Sequence, residues 1–299
     1  VVASEPVTLR EKLAAGRLVV SVEVDPPRGL NPERALAAAA LLKEAGVDCI
    51  NVGDSPLARV RMSPLFMGVL MQQRVGVETI VHFTTRDRNR MALHSDLVGA
   101  HLLGIRNVLC LRGDPPSVGG YSDVIGVWDV SAVGLIRLLK LLNDGVDWTG
   151  KPIGQQASFL IGASANPTAA SPAAEVKQMR RKLEAGAHFL MTQAVYDPAA
   201  LEGFLDQVQG LGVPVLVGVL PLNSFGHAEY LHREVPGMVV PEAVRERMRR
   251  AGERGLDEGL AIAREVAAVA RARGAGVYLV PPAGRYEAAA DLVAAMRRG

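Results

Sequence analysis

Cysteine is almost missing from these 299 residues: there are two, Cys49 and Cys110, each inside an apolar run ("DCINV" and "NVLCL"). Two cysteines make neither a disulfide framework nor a cysteine-rich metal site, so buried thiols in a reducing compartment are expected. No run of about 18 apolar residues occurs, which argues against a membrane-spanning helix. The opening "VVASEPVTLREKL" holds no basic region followed by a long apolar stretch, and a cytoplasmic location is the expectation. Charge of one sign is not in excess either: Lys and Arg number 33 against 31 Asp and Glu, giving +2 and no reason to expect nucleic acid or an anionic membrane as partner. Three nucleotide and hydrolase signatures are also absent, namely G-x-G-x-x-G after a strand, a P-loop and G-x-S-x-G. The two histidines of "HAEYLH" (227–232) lie five apart, off any single helix face, and no spacing suits a metal.

What is present is a repeat. Eight β-rich runs recur, "LVVSVEV" (18–24), "DCINV" (48–52), "VETIVHF" (77–83), "NVLCL" (107–111), "ASFLIGA" (157–163), "AHFLMTQ" (187–193), "VPVLVGVL" (213–220) and "GVYLVPP" (276–282). Each precedes a stretch of helical periodicity, as in "NPERALAAAALLKEAG" (31–46), where Asn31 can cap, Pro32 suits the first turn and Gly46 ends the helix. Eight alternating β and α elements predict parallel strands joined by helical crossovers, and the count favours a closed (β/α)8 TIM barrel over an open sheet. With 49% hydrophobic residues and no linker rich in Pro, Gly or Ser, residues 1–299 read as one such domain. Two connections, 112–130 and 221–275, are long for a compact domain and therefore candidates for function.

Alternation within "LVVSVEVDPPRG" (18–29) puts Val20, Val22 and Val24 on one face and Val19, Ser21, Glu23 and Asp25 on the other. In a barrel neither face meets open solvent, so Glu23 is either a reactive group at the rim or a structural partner of an arginine. Similar polar residues end the next strands: Asn51 and Asp54, His82 and Thr84, Arg112 and Asp114, Ser164 and Asn166, then Gln193. Gly113 in "LCLRGDPP" (109–116) would let backbone approach a flat ligand, with Arg112 and Asp114 as either ligand contacts or an ion pair closing the loop. In "HFTTRDRNR" (82–90) Asp87 is a candidate helix cap, and the three arginines either hold phosphate or form a solvated helix face. Glu175, Gln178, Arg181 and Lys182 recur at helical spacing, the usual pattern of a surface helix.

With "SVEVDPPR" (21–28), "HFTTRDRN" (82–89), "LRGDPP" (111–116), "RRKLEAGAHFLMTQ" (180–193), "GVLPLNSF" (218–225) and "GRYEAA" (284–289) in order, the chain resembles the methylenetetrahydrofolate reductase family. Details such as "GVWDVSAVGLI" (126–136) are most similar to the reductase half of bacterial fusions with a homocysteine methyltransferase. The resemblance implies an FAD-dependent reduction of 5,10-methylenetetrahydrofolate to 5-methyltetrahydrofolate, with NAD(P)H as donor and hydride passing through flavin N5. By the same resemblance Glu23 is the general acid at folate N10, needing a raised pKa for that task. The resemblance further implies that Asp114 lies by the flavin and hydrogen-bonds the pterin. His82, Thr84, Arg112, Gly113, Asp114, Glu175, Gln178, Arg181 and Lys182 would hold the flavin cofactor. Asn51, Asp114, Gln193, Phe225 and Arg285 would bind the folate, Phe225 by stacking and Arg285 at the aminobenzoyl-glutamate tail.

The sequence also departs from that family. Asn51 and Val52 stand where much of it has Thr then Tyr, Asp25 where an aromatic is common, and Ala165 where Phe or Tyr is usual. Lost aromatics imply looser flavin binding or a different donor. Two further readings follow: a folate-binding subunit of a larger electron-transfer assembly, and a flavin-free pterin-dependent methyltransferase barrel. A homo-oligomer or an electron-transfer partner is compatible with all three.

Overall fold

The computed structural model describes residues 7–235 and 237–298. Eight parallel strands close in sequence order, each pairing with the next and the last with the first. They are β1 (Val20–Glu23), β2 (Cys49–Val52), β3 (Thr79–Thr84), β4 (Asn107–Leu111), β5 (Leu160–Ala165), β6 (Phe189–Ala194), β7 (Val215–Val219) and β8 (Gly276–Leu279). The expected (β/α)8 barrel is the observed one, with every anticipated strand within a few residues of its sequence signal. A short helix absent from that reading, α1 (Leu9–Ala14), precedes β1.

The crossover helices are α2 (Glu33–Glu44), α3 (Pro64–Arg74), α4 (Arg90–Leu102), α5 (Ala132–Asn143), α6 (Pro172–Glu184) and α7 (Pro198–Gln209). The long connection after β7 holds three more, α8 (Phe225–Glu234), α9 (Glu242–Ala251) and α10 (Gly255–Ala272), and α11 (Tyr286–Arg298) follows β8. Side-chain caps start several of them, since Asn89, Ser131, Ser171 and Ser224 each accept a bond from a first-turn N–H. Asn31 accepts from the Glu33 N–H at 2.9 Å but lies one residue before the cap position of α2, which Pro32 holds without a side-chain cap. Asp87 does not cap α4; its carboxylate instead takes both Arg86 nitrogens at 2.8 and 2.7 Å, and Asn89 fills the cap position.

Alternation sorts the strands into two cores. Val20, Val22, Val52, Val81, Cys110 and Ala165 face the helices, while Val19, Cys49, Ile80, Leu109, Leu160, Phe189 and Leu216 fill the barrel interior. Leu9 of α1 belongs to the interior cluster and is fully buried, so α1 closes the N-terminal end of the barrel. Glu78 fixes this plug by accepting from the Leu9 N–H and from Asn107 Nδ2, both at 2.8 Å. Gly162 makes room within the interior layer, because a Cβ there would come within 2.5 Å of the Phe189 ring. Burial pushes both cysteine thiols up, and neither carries a disulfide. Among the described residues no helix is long and apolar enough to cross a membrane.

Candidate active site

The same alternation that buries Val19 brings Ser21 and Glu23 to successive inward positions toward the C-terminal mouth. Parallel register sets Glu23 beside Asn51 and Ser21 beside Tyr278. A hydrogen-bonded chain results. Asn51 Nδ2 donates to Ser21 Oγ at 2.8 Å, and His82 Nε2 lies 3.3 Å from Asn51 Oδ1. Because the Asn51 amide nitrogen is donating, its oxygen accepts, and His82 carries its proton on Nε2. His82 Nδ1 then presents a lone pair toward Glu23 Oε2, 4.0 Å away. Tyr278 bonds Glu23 from the other side by donating its hydroxyl to Oε2.

Both ionisable groups are neutral here at pH 7. Burial pushes the Glu23 carboxyl up to about 8, the Asp25 carboxylate adds to this, and the Arg61 guanidinium opposes it. Burial alone pushes His82 down to about 4, so the His82–Glu23 approach is a neutral contact rather than an ion pair. The glutamate therefore answers the question its sequence position posed: no arginine pairs with it. Asp25 takes that role, 3.1 Å from Arg61. The pair is incompletely satisfied, since Asp25 Oδ1 and Arg61 Nε are buried with no hydrogen-bond partner among the described residues. Asp25 and Arg61 also line a cleft of about 1000 Å³ that opens beside the mouth.

Further around the rim, the β2 connection turns through three left-handed non-glycine residues, Ser55, Leu57 and Ala58, at φ 49°, 53° and 54°. Asp114 holds this turn by accepting from the Leu57 N–H at 2.9 Å. Such conformations persist only where neighbours enforce them. Gly113 has φ 84°, and a Cβ there would meet Arg86 Cβ at 2.9 Å, so the residue must be glycine for packing as well as backbone reasons. Arg112 lies 4.5 Å over the Trp128 ring, whose indole N–H donates to the Arg112 carbonyl. Thr84 donates its hydroxyl and its backbone N–H to buried Asp54, each at 2.9 Å. Each of the three arginines of "RDRNR" has a carboxylate partner. Arg86 pairs with Asp87, Arg88 with Asp54 and Asp96, and Arg90 with Asp129.

At the β5 end, α6 turns Glu175 and Lys182 inward. Glu175 accepts from the Asn166 N–H at 2.9 Å, and the Lys182 ammonium donates to the Ser164 carbonyl at 2.6 Å. Burial pulls the Lys182 pKa down. Gln178 and Arg181 remain exposed on the same helix. Gln193 is exposed at the inward face of β6, close to Asn166 across Gly237. Phe225 begins α8, its ring covered by the Arg249 guanidinium at 4.6 Å. Arg285 is exposed just before α11. Val52 and Ala165, two of the positions where aromatics are usual, point into the helix-side core and away from the mouth.

The structure thus bonds Ser21, Asn51 and His82 together, sets Glu23 beside them with its bond to Tyr278, and distributes Arg112, Asp114, Glu175, Lys182, Gln193 and Arg285 around one rim. Tyr278 is the member that sequence reasoning overlooked. Its signal was present in "GVYLVPP", where alternation from Gly276 sends the tyrosine inward. Arg61 carried no comparable signal, because it reaches Asp25 from an irregular loop.

The family model described as methylenetetrahydrofolate reductase matches residues 8–280. A 5,10-methylenetetrahydrofolate reductase from Pectobacterium carotovorum subsp. carotovorum is 28% identical over 231 residues, 75% of this chain and 71% of that one. A probable methylenetetrahydrofolate reductase (NADH) from Oryza sativa subsp. japonica is 28% identical over 161 residues, 52% of this chain and 27% of that one. Among solved structures, dihydropteroate synthase from Xanthomonas albilineans in complex with 7,8-dihydropteroate superposes with a TM-score of 0.51 at 15% identity, covering 94% of this chain and 92% of that one, a likeness of fold alone.

Proposed function

The chain belongs to the methylenetetrahydrofolate reductase family, and from that premise we propose that it reduces 5,10-methylenetetrahydrofolate to 5-methyltetrahydrofolate with FAD as cofactor and NAD(P)H as electron donor. The observation that carries this reading is Glu23, an inward carboxyl at a barrel mouth whose pKa of about 8 leaves it protonated at neutral pH. Opening the five-membered ring of the substrate requires a proton at N10. Glu23 supplies it. Tyr278 donates to Oε2, so the proton to be delivered sits on Oε1. After delivery the carboxylate is stabilised by the Tyr278 hydroxyl and offset by Asp25, which limits how long it stays charged. Asn51 and His82 hold the carboxyl's surroundings neutral, and Asp114 supplies a negative charge near the cationic folate.

The donor set around β5 and α6 fits a flavin dinucleotide. Arg181 and Lys182 suit a diphosphate, Glu175 and Gln178 suit ribose hydroxyls, and Arg112 and His82 suit the edge of a flat ring. Held by these residues, a reduced flavin would supply hydride chemistry for the methylene carbon. Val52 and Ala165 leave this set intact because their side chains lie behind the strands. Gln193, Phe225 and Arg285 take the pterin, the aminobenzoyl ring and the glutamate of the substrate. The NADH in the rice relative's name supports a nicotinamide donor.

The test is a Glu23→Gln variant followed in two half-reactions. Bleaching of the flavin by NAD(P)H should persist, while oxidation of reduced flavin by methylenetetrahydrofolate should fall about 10²- to 10⁴-fold, the range of a lost general acid. Unchanged folate turnover would remove Glu23 from the mechanism, and purified protein without flavin absorbance would remove FAD.

A further inference from the structure

Each turnover of the reaction above spends the Glu23 proton on N10 and adds a hydride to the methylene carbon, so one proton must return from water before the next ring is opened. Glu23 is poorly placed to collect it. Its side chain is only 14% exposed, and a folate seated for protonation at N10 stands over what remains.

Most of the ionisable side chains that face Glu23 fail as donors. His82, from β3, is neutral, and its one ring proton is directed to Asn51 Oδ1. Beyond Asn51 the bonds end at Ser21, fully buried next to the sealed lower layer, so that route leads inward and not to water. Tyr278, from β8, already commits its hydroxyl to Oε2. Tyr286, at the start of α11, is pushed up by burial and by the Asp25 and Glu23 charges, which leaves it too weak an acid. Arg61, from the connection after β2, does not release protons.

Asp25 remains, and its geometry suits the task. The Val24 N–H donates to the Asn51 carbonyl at 2.8 Å, so the extended pairing of β1 runs one residue past Glu23. Val24 is buried on the helix side, and Asp25 returns to the face of Glu23 about 7 Å along the strand, a spacing that one bridging water spans. The Asp25 side chain is 36% exposed and lines the cleft of about 1000 Å³, so it has solvent on one side and Glu23 on the other. Arg61 holds its Oδ2 at 3.1 Å and, through the other terminal nitrogen, the Pro26 carbonyl at 3.1 Å. Oδ1 is left buried with no partner among the described residues, and it is the oxygen free to carry a proton. Burial raises this carboxyl too, while direct contact with Arg61 pulls it back, which makes Asp25 a weaker acid than a free aspartate and a stronger one than Glu23.

Resting on the proposed folate reduction, we infer that Asp25 returns the proton to Glu23: an acid in solution protonates Asp25 Oδ1, and Asp25 passes that proton to the Glu23 carboxylate. One O–H bond breaks and one forms at each step. The site ends as it began, with Glu23 neutral and the Asp25 carboxylate beside Arg61.

The experiment separates the first turnover from later ones in the flavin-loaded protein. Enzyme reduced and protonated at about pH 6 before mixing with methylenetetrahydrofolate should show, in Asp25→Asn, a first flavin oxidation within about threefold of the unaltered protein. Its steady-state rate should fall about tenfold or more, within the range of lost proton transfer. Asparagine still offers Arg61 an oxygen, so the loop stays anchored. Asp25→Glu should recover the steady-state rate. In Asp25→Ala, whose shorter side chain leaves room, added formate should recover it by supplying the proton from solution. Equal losses in the first and later turnovers would make Asp25 a modifier of Glu23's acid strength and not its proton supply. An unchanged steady-state rate, or no recovery with either glutamate or formate, would also overturn the relay. Glu23→Gln serves as the separate control on the reductase reading: it should lose the first turnover itself and gain nothing from formate. If it keeps that first turnover, the reading of Glu23 fails and the relay falls with it; if only the Asp25 results fail, the reductase reading stands alone.

Discussion

The lower and upper halves of the barrel interior are built from the same inward faces of the same strands, yet they differ in every chemical respect. Below lie Val19, Cys49, Ile80, Leu160, Phe189 and Leu216, sealed by Leu9. One inward step higher the positions become Ser21, Asn51 and His82, then Glu23, with Tyr278 joining from β8. The lower layer excludes water and makes the upper one a low-dielectric environment. That environment, more than any charged neighbour, raises Glu23 and lowers His82. In this barrel the support and the chemistry are separated by about two residues of strand.

The comparison breaks most easily from below. Phe189→Ala empties a fully buried position and should cost about 3–5 kcal/mol of stability, read as a lowered denaturation midpoint. A loss under about 1 kcal/mol would mean the layer is not close-packed. Glu23→Gln tests the upper half in the opposite sense. The folded carboxyl titrates near 8 against 4.5 for the free group, so the folded state keeps a proton that the unfolded chain releases. The unaltered protein should therefore lose stability as pH rises from about 5 to 8, at up to about 1.4 kcal/mol per pH unit, and Glu23→Gln should flatten that dependence. Parallel melting curves for the two proteins across that window would show Glu23 to be solvated instead. The smallest effect is expected from Tyr278→Phe, which removes the hydroxyl that favours the carboxylate form. Its basic pH limb should move upward and its rate should fall about three- to tenfold, as read from a pH–rate profile; an unmoved limb would leave the tyrosine a packing residue only.

Periodicity carried the fold. Eight β-rich runs and their glycine stops were enough to number the strands, because a barrel repeats one unit and the period-2 alternation survives in each strand. It also separated Glu23 from Val22 and Val24. The helix α1 escaped because six residues give too little periodicity, and its role depends on Glu78, about 70 residues away. Asp87 was misread as a cap for a related reason: a carboxylate before a helix serves equally well as an arginine's partner, and spacing does not distinguish them. Asp25, unexplained as a charge inside a strand pattern, became intelligible only with Arg61 beside it. Family resemblance located the rim residues, while the actual bonds of Thr84 to Asp54 and of Asp114 to Leu57 belong to tertiary contacts that no local pattern encodes.

The bond between Tyr278 and Glu23 spans 255 residues, and β1 completes its pairing only with β8. Glu23 leaves the ribosome 255 residues ahead of Tyr278, and over that interval the glutamate is an ordinary hydrated carboxylate on an open sheet edge. Joining those distant strands is the least local of the barrel's strand pairings and among the slowest to form. The acid strength of this one side chain is thus acquired only when the barrel closes, and a partly made barrel carries the residue without its reactivity.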